Sequence, residues 1–164
     1  MGFILTAEHV TAGADEFFVI RQGENPDGVP YKPEWTEAFL VAEDPRMDLA
    51  ILMVRDRKFI NRFKHTTILA PSDPRVGDTV HHVGSFLGDD GFNSYSKGKI
   101  SYLYRSPEVN GSLIHLHQMT AAAYPGSSGG GVYNSHGQYI GTLVRGYDSS
   151  FTLFVPLRFI RSFL

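Results

Sequence analysis

The sequence predicts an all-β protein, a chain of short antiparallel strands closing into barrels or a sandwich, ending in one short helix. Three observations carry this. Apolar or alternating runs of strand length recur along the whole chain. Clusters of Gly, Pro, Asn, Asp and Ser separate them. Only the last few residues have apolar positions at helical spacing.

The elements follow in order. Gly2-Phe3-Ile4-Leu5 is an apolar run that reads as a buried strand leading into a functional loop. Met1 to Thr6 also fits an N-myristoylation pattern, but lipidation leaves those apolar residues unexplained. Phe17–Arg21 and Ala38–Ala42 are strands flanking the turn-rich stretch 22–28, and Leu49–Val54 is the most apolar strand of the first half. The Pro- and Asp-rich stretch Ile68–Val76 predicts a crossover between two β units, dividing the chain into residues 1–70 and 71–164. Strands then fall at Thr79–Gly84, Lys99–Tyr104, Ser112–Gln118, Gly131–Tyr133, Tyr139–Val144 and Phe151–Val155, with turns at Gly88–Gly91, Asn110–Gly111 and Asn134–Gly137. Arg158–Leu164 predicts a helix whose Phe159, Ile160 and Phe163 share a face and pack back on a barrel.

Composition narrows the function classes. A net charge of −2 with both signs interspersed provides no basic field for nucleic acid and no polybasic membrane patch. The absence of cysteine excludes disulfides, thiolate metal sites and a cysteine nucleophile. No apolar run reaches the ~18–20 residues that span a bilayer, and no secretory leader is visible, so a cytoplasmic location is expected.

Chemistry concentrates in Gly126-Ser127-Ser128-Gly129-Gly130, between two predicted strands. Glycines permit a tight turn that presents a hydroxyl outward and aims backbone N–H groups at a developing oxyanion. A flexible small-residue turn would look the same in isolation. A serine nucleophile needs a base, and the base needs an acid to hold its tautomer. Of the seven histidines, His9 stands at the end of an apolar run, where a strand yields to a loop. Asp48 precedes the most apolar strand of the first half, where a carboxylate is at least partly buried and needs a partner. His81-His82 and His115-x-His117 could be metal ligands, but strand alternation puts His115 and His117 on one face as solvated side chains, so no metal and no cofactor are expected.

Taken together and in order, Leu5-Thr6-Ala7-Glu8-His9-Val10, Asp48-Leu49-Ala50-Ile51 and Gly126-Ser127-Ser128-Gly129-Gly130 resemble the trypsin-like (chymotrypsin-fold) serine peptidases, above all their cysteine-free HtrA-like branch. The likeness extends through Arg75–Val80, Val83–Phe86, Lys97–Ser101, Gly137–Thr142 and Phe151–Leu157. It implies two antiparallel β-barrels of the six-stranded type, the first carrying His9 and Asp48, the second Ser128 and the C-terminal helix. It also implies a serine endopeptidase acting on polypeptide, with Ser128 as nucleophile, His9 as base, Asp48 as its orienting acid and the N–H groups of Gly126 and Ser128 as oxyanion hole.

The same resemblance puts a substrate pocket between Ala122-Ala123 and Val144-Arg145-Gly146, suited to small or medium aliphatic residues, although Arg145 could favour acidic ones. Ser127 stands where zymogen-activated relatives carry an aspartate. The resemblance further implies a strand before Gly2–Leu5 that this chain lacks. Either the gene start lies upstream, the first barrel is closed differently, or another chain supplies the strand. The opposing reading is an inactive trypsin-fold binding module.

Overall fold

A computed structural model describes residues 1–24, 30–62, 67–87, 91–109 and 111–164. The turns expected at 22–28, 88–91 and 110–111 lie partly or wholly outside these residues.

The first unit comprises β1 (Gly2–Thr6), the single-turn α1 (Glu8–Thr11), β2 (Phe17–Glu24), β3 (Pro30–Asp44), β4 (Leu49–Val54) and the short α2 (Arg57–Ile60). Its strands form a four-stranded antiparallel sheet in the order β1-β4-β3-β2. Because alternate residues of β4 face the interior, only one register with β1 keeps them buried. That register pairs Gly2 with Val54 and Thr6 with Ala50, bringing the end of β1 beside the start of β4. Among the described residues this unit is an open sheet rather than a closed barrel.

The second unit comprises β5 (Thr79–Phe86), β6 (Gly91–Arg105), the small hairpin β7 (Glu108–Val109) and β8 (Ser112–Leu113), β9 (Leu116–Met119), β10 (Gly131–Asn134), β11 (Tyr139–Gly146), β12 (Thr152–Pro156) and α3 (Leu157–Phe163). Here β10-β11-β12-β9-β6-β5 close into a barrel, which removes every free edge. Ile100, Leu116, Met119, Val132, Ile140, Leu143 and Phe154 fill it and are essentially inaccessible to solvent. Each such side chain contributes about 1.5–3 kcal/mol through burial. Ile160 of α3 is buried on the barrel, and Phe159 and Phe163 lie partly buried against the same core. Ala7 and Leu49 belong to that core too, so the end of the first unit where β1 meets β4 is seated on the second.

Two expectations need correction. The strand foreseen over Ser112–Gln118 is interrupted, because the Ile114 N–H turns away to the Pro107 carbonyl (3.3 Å) before β9 begins. His115 therefore lies outside the strand, where it is exposed and bonds the Ser106 hydroxyl, whereas His117 is wholly buried. The two histidines do not share a face, since alternation operates only within a continuous strand. The crossover stays close to the barrel: the Ala70 N–H donates to the Tyr139 carbonyl (3.0 Å) and the Tyr139 N–H to the Ile68 carbonyl (2.8 Å).

Candidate active site

Where β1 ends, α1 begins without a capping side chain of its own, since its N-cap residue is Ala7. Asp48 supplies the missing acceptor from the neighbouring strand: its Oδ1 accepts the His9 backbone N–H at 2.9 Å. An acceptor in that place satisfies one of the N–H groups left unpaired at the start of a helix. The same carboxylate holds the imidazole, with His9 Nδ1 at 2.8 Å from Oδ2 and 3.0 Å from Oδ1. A carboxylate only accepts, so Nδ1 carries the proton and Nε2 keeps its lone pair. Asp48 is 4% exposed and has a φ of 54°, a left-handed conformation that Asp tolerates better than most residues.

The hydrogen bond to Asp48 raises the His9 pKa above the ordinary 6.5, against burial and the positive charge of Arg145, both of which lower it. Since the folded-state value lies above the unfolded one, the protonated pair adds stability that is complete below pH 6.5 and fades as pH rises through the folded-state value. The neutral ring that a general base requires forms over that same upper interval. Removing the Arg145 charge is expected to raise this value further. NMR titration of the His9 imidazole in an Arg145→Gln variant reads the shift, and a fall instead would show that the arginine does not act on this ring.

The serine lies on the turn between β9 and β10. The Ser127 N–H donates to the Tyr124 carbonyl at 3.0 Å, while the buried Ser127 hydroxyl donates to that same carbonyl at 2.5 Å and accepts the Tyr124 N–H at 3.1 Å. Ser127 thus closes the turn from inside, which its neighbourhood in sequence did not reveal. The Gly129 N–H donates to the Leu143 carbonyl (2.7 Å) and the Gly130 N–H to the Ser127 carbonyl (3.1 Å). Among the described residues, no protein acceptor takes the N–H of Gly126 or Ser128. Gly126 has a φ of 94°, a region open to glycine and strained for other residues. Two uncommitted N–H groups beside a hydroxyl match what oxyanion stabilisation requires, an effect of about 3–4 kcal/mol for one donor.

His9, Asp48 and Ser128 line one cavity of about 550 Å³. Among the described residues no direct hydrogen bond joins the Ser128 hydroxyl to His9. Ala123, Val144, Arg145 and Gly146 line the same cavity; Ala122 does not, its carbonyl instead accepting the Ser96 hydroxyl at 2.8 Å. Gly146 faces Ala123 so closely that a Cβ there would stand 3.2 Å from the alanine methyl. The cavity also takes in Tyr124, Pro125, Leu143, Tyr147 and Asp148, which sequence reasoning did not single out. Adjacency to the serine motif could have suggested Tyr124 and Pro125. The loop after β11 could not be assigned to the cavity without the barrel.

Comparison with known proteins adds an independent line. Residues 2–141 match the trypsin-like peptidase domain family. The probable periplasmic serine endoprotease DegP-like of Pseudomonas fulva (strain 12-X) is 35% identical over 141 residues, covering 85% of this chain and 26% of that protein. The serine protease Do-like HtrA of Bacillus subtilis (strain 168) is 31% identical over 147 residues, covering 85% of this chain and 29% of that protein. The solved HtrA-type protease AlgW with decapeptide superposes with a TM-score of 0.78 at 28% identity, over 96% of this chain and 46% of that one. The chain thus spans about a quarter of the length of the curated relatives it matches. Relatives named as periplasmic overturn the expectation of a cytoplasmic location, which had rested only on the absence of a visible leader.

Proposed function

The chain belongs to the trypsin-like peptidase domain family, and from that premise we propose that it is a serine endopeptidase whose catalytic groups are His9, Asp48 and Ser128. The observation that carries this reading is the His9 and Asp48 pair, joined at 2.8 Å, opening on the same cavity as Ser128. Ser128 Oγ attacks the scissile carbonyl as its proton passes to His9 Nε2. The C=O electron pair moves onto oxygen, where the Gly126 and Ser128 N–H groups receive it. Collapse expels the amine, protonated by His9, and leaves an acyl group on Ser128. Water activated by His9 then releases the acid and restores the serine. Asp48 stabilises the imidazolium without taking up its proton.

The substrate is a polypeptide, a reading supported by the decapeptide in the AlgW structure. The side chain before the scissile bond sits among Ala123, Val144 and Gly146, which suits small or medium aliphatic groups; Arg145 on the same wall gives an acidic neighbour an attractive partner. Residues 1–70 contribute the base and its acid, and residues 71–164 the nucleophile and the pocket. A fluorophosphonate probe tests the reading. Wild type is expected to label at a single site and Ser128→Ala not at all. Folded wild-type protein that takes no label would favour the inactive binding module.

A further inference from the structure

His82, in the middle of β5, is 0% exposed and lies directly behind the serine turn. Its Nδ1 is 3.0 Å from the Gly131 carbonyl, which can only accept, so Nδ1 carries the proton and Nε2 is the bare nitrogen. Among the described residues, that Nε2 is buried with no hydrogen-bond partner. The ring has almost no spare room. A Cβ on Gly130 would stand 2.6 Å from its Cε1, and one on Gly84 would stand 2.8 Å from its Nε2 and 3.1 Å from the Ser127 Cβ. Phe86 stacks on the imidazole at 5.7 Å between centroids and itself abuts Tyr124 at 5.5 Å, at the foot of the turn. The ring therefore holds the Gly131 end of the Ser127–Gly131 segment directly and lies close to Gly130, with Gly84 close to both the ring and the Ser127 Cβ.

We propose that His82 is a positioning residue: its neutral imidazole props the nucleophile turn, and its protonation loosens that turn. A second proton would put a charged N–H against Gly84, where among the described residues no acceptor bonds Nε2. Burial accordingly lowers the His82 pKa, opposed only by the Gly131 hydrogen bond. Among the described residues, no charged side chain contributes to the His82 ionisation. From β5 the ring meets Phe86, from β10 the Gly131 carbonyl, and from the turn it lies close to Gly130. Ser96, its partner across β6, directs its hydroxyl to the Ala122 carbonyl. The adjacent His81 points to the other face of the strands and bonds Tyr95 at 2.7 Å, while Tyr124 packs on Phe86 and the Tyr133 hydroxyl lies by Gly131. His82 thus ionises below its usual range and His9 above it, so two separable protonations act on one site.

The catalytic consequence rests on the peptidase reading, but the conformational one does not. NMR titration of the intact chain from neutral to acid pH is expected to move the Gly130 and Gly131 amide signals in two steps, the second following the His82 imidazole. His82→Asn, which retains an N–H for Gly131 but cannot titrate, is expected to lack the second step. Turn amides that ignore His82 ionisation, or a second step that persists in His82→Asn, would overturn the proposal. In kinetics, His82→Leu is expected to lower kcat roughly 10- to 100-fold with little change in KM, as slight misplacement of reacting groups does, and His82→Asn to restore most of it. Wild-type kcat in His82→Leu counts against the prop. A wild type that never labels at Ser128 would sink the peptidase reading alone, because the NMR titration still decides the role of His82.

Discussion

A His9→Ala variant is expected to hydrolyse a peptide or activated ester with kcat lowered by about 10⁶-fold, and Asp48→Asn by about 10⁴-fold. Without the imidazole, nothing in the cavity takes the Ser128 proton as the bond to carbon forms. The asparagine variant is the sharper test. Asp48 sits at a φ of 54°, which asparagine adopts as readily as aspartate, so the backbone does not change. Its side-chain oxygen can still accept the His9 N–H. Its amide nitrogen, however, donates where the carboxylate accepted, which favours the tautomer with Nε2 protonated and unable to act as base. Steady-state kinetics beside a thermal melt separate the effects. At a pH above the folded-state value of His9, where the ion pair no longer adds stability, a lost kcat with an unchanged melting temperature is expected, and near-normal activity in Asp48→Asn would refute the orienting role.

The second large effect concerns the joint between the two units. Gly129 has a φ of 85°, and a Cβ there would collide with the Thr6 hydroxyl and stand 3.1 Å from the Ala7 nitrogen. Thr6 and Ala7 lead directly into His9, so the serine turn and the histidine loop touch through this glycine. Gly129→Ala is expected to cost about 2–5 kcal/mol, combining left-handed strain with overpacking. That lowers the melting temperature by roughly 5–20 °C. Gly137→Ala provides the control: its φ of 72° imposes the strain alone, because no atom of the described residues lies within 4 Å of its added methyl. Equal losses in the two variants would show that the contact with Thr6 contributes nothing.

The legible parts were those encoded in adjacent residues. Alternation marked β4, β5, β11 and β12 to within a residue or two. The end of an apolar run marked His9, and the charge ahead of the apolar Leu49–Val54 marked Asp48. Ser128 was legible because its glycines satisfy a local backbone need. Ala122 was drawn into the pocket by counting back from the serine, yet its carbonyl is turned to Ser96 on β6, a strand more than 20 residues away in the chain. The His81-His82 doublet was visible as a doublet, but nothing in it said that one ring would be half-buried and the other sealed behind the serine turn.

By itself, the sequence determined the strand periods and the turn chemistry and pointed to His9, Asp48 and Ser128 as candidates, because propensity, alternation and glycine conformation act over a few neighbouring residues. Only the tertiary structure decided which strands close and which leave an open sheet, how one carboxylate holds both the backbone and the ring of His9, and which histidine supports Ser128. Those outcomes depend on register and burial between segments far apart in the chain. Their free energies come from solvent exclusion and packing that exist only once the barrel has closed.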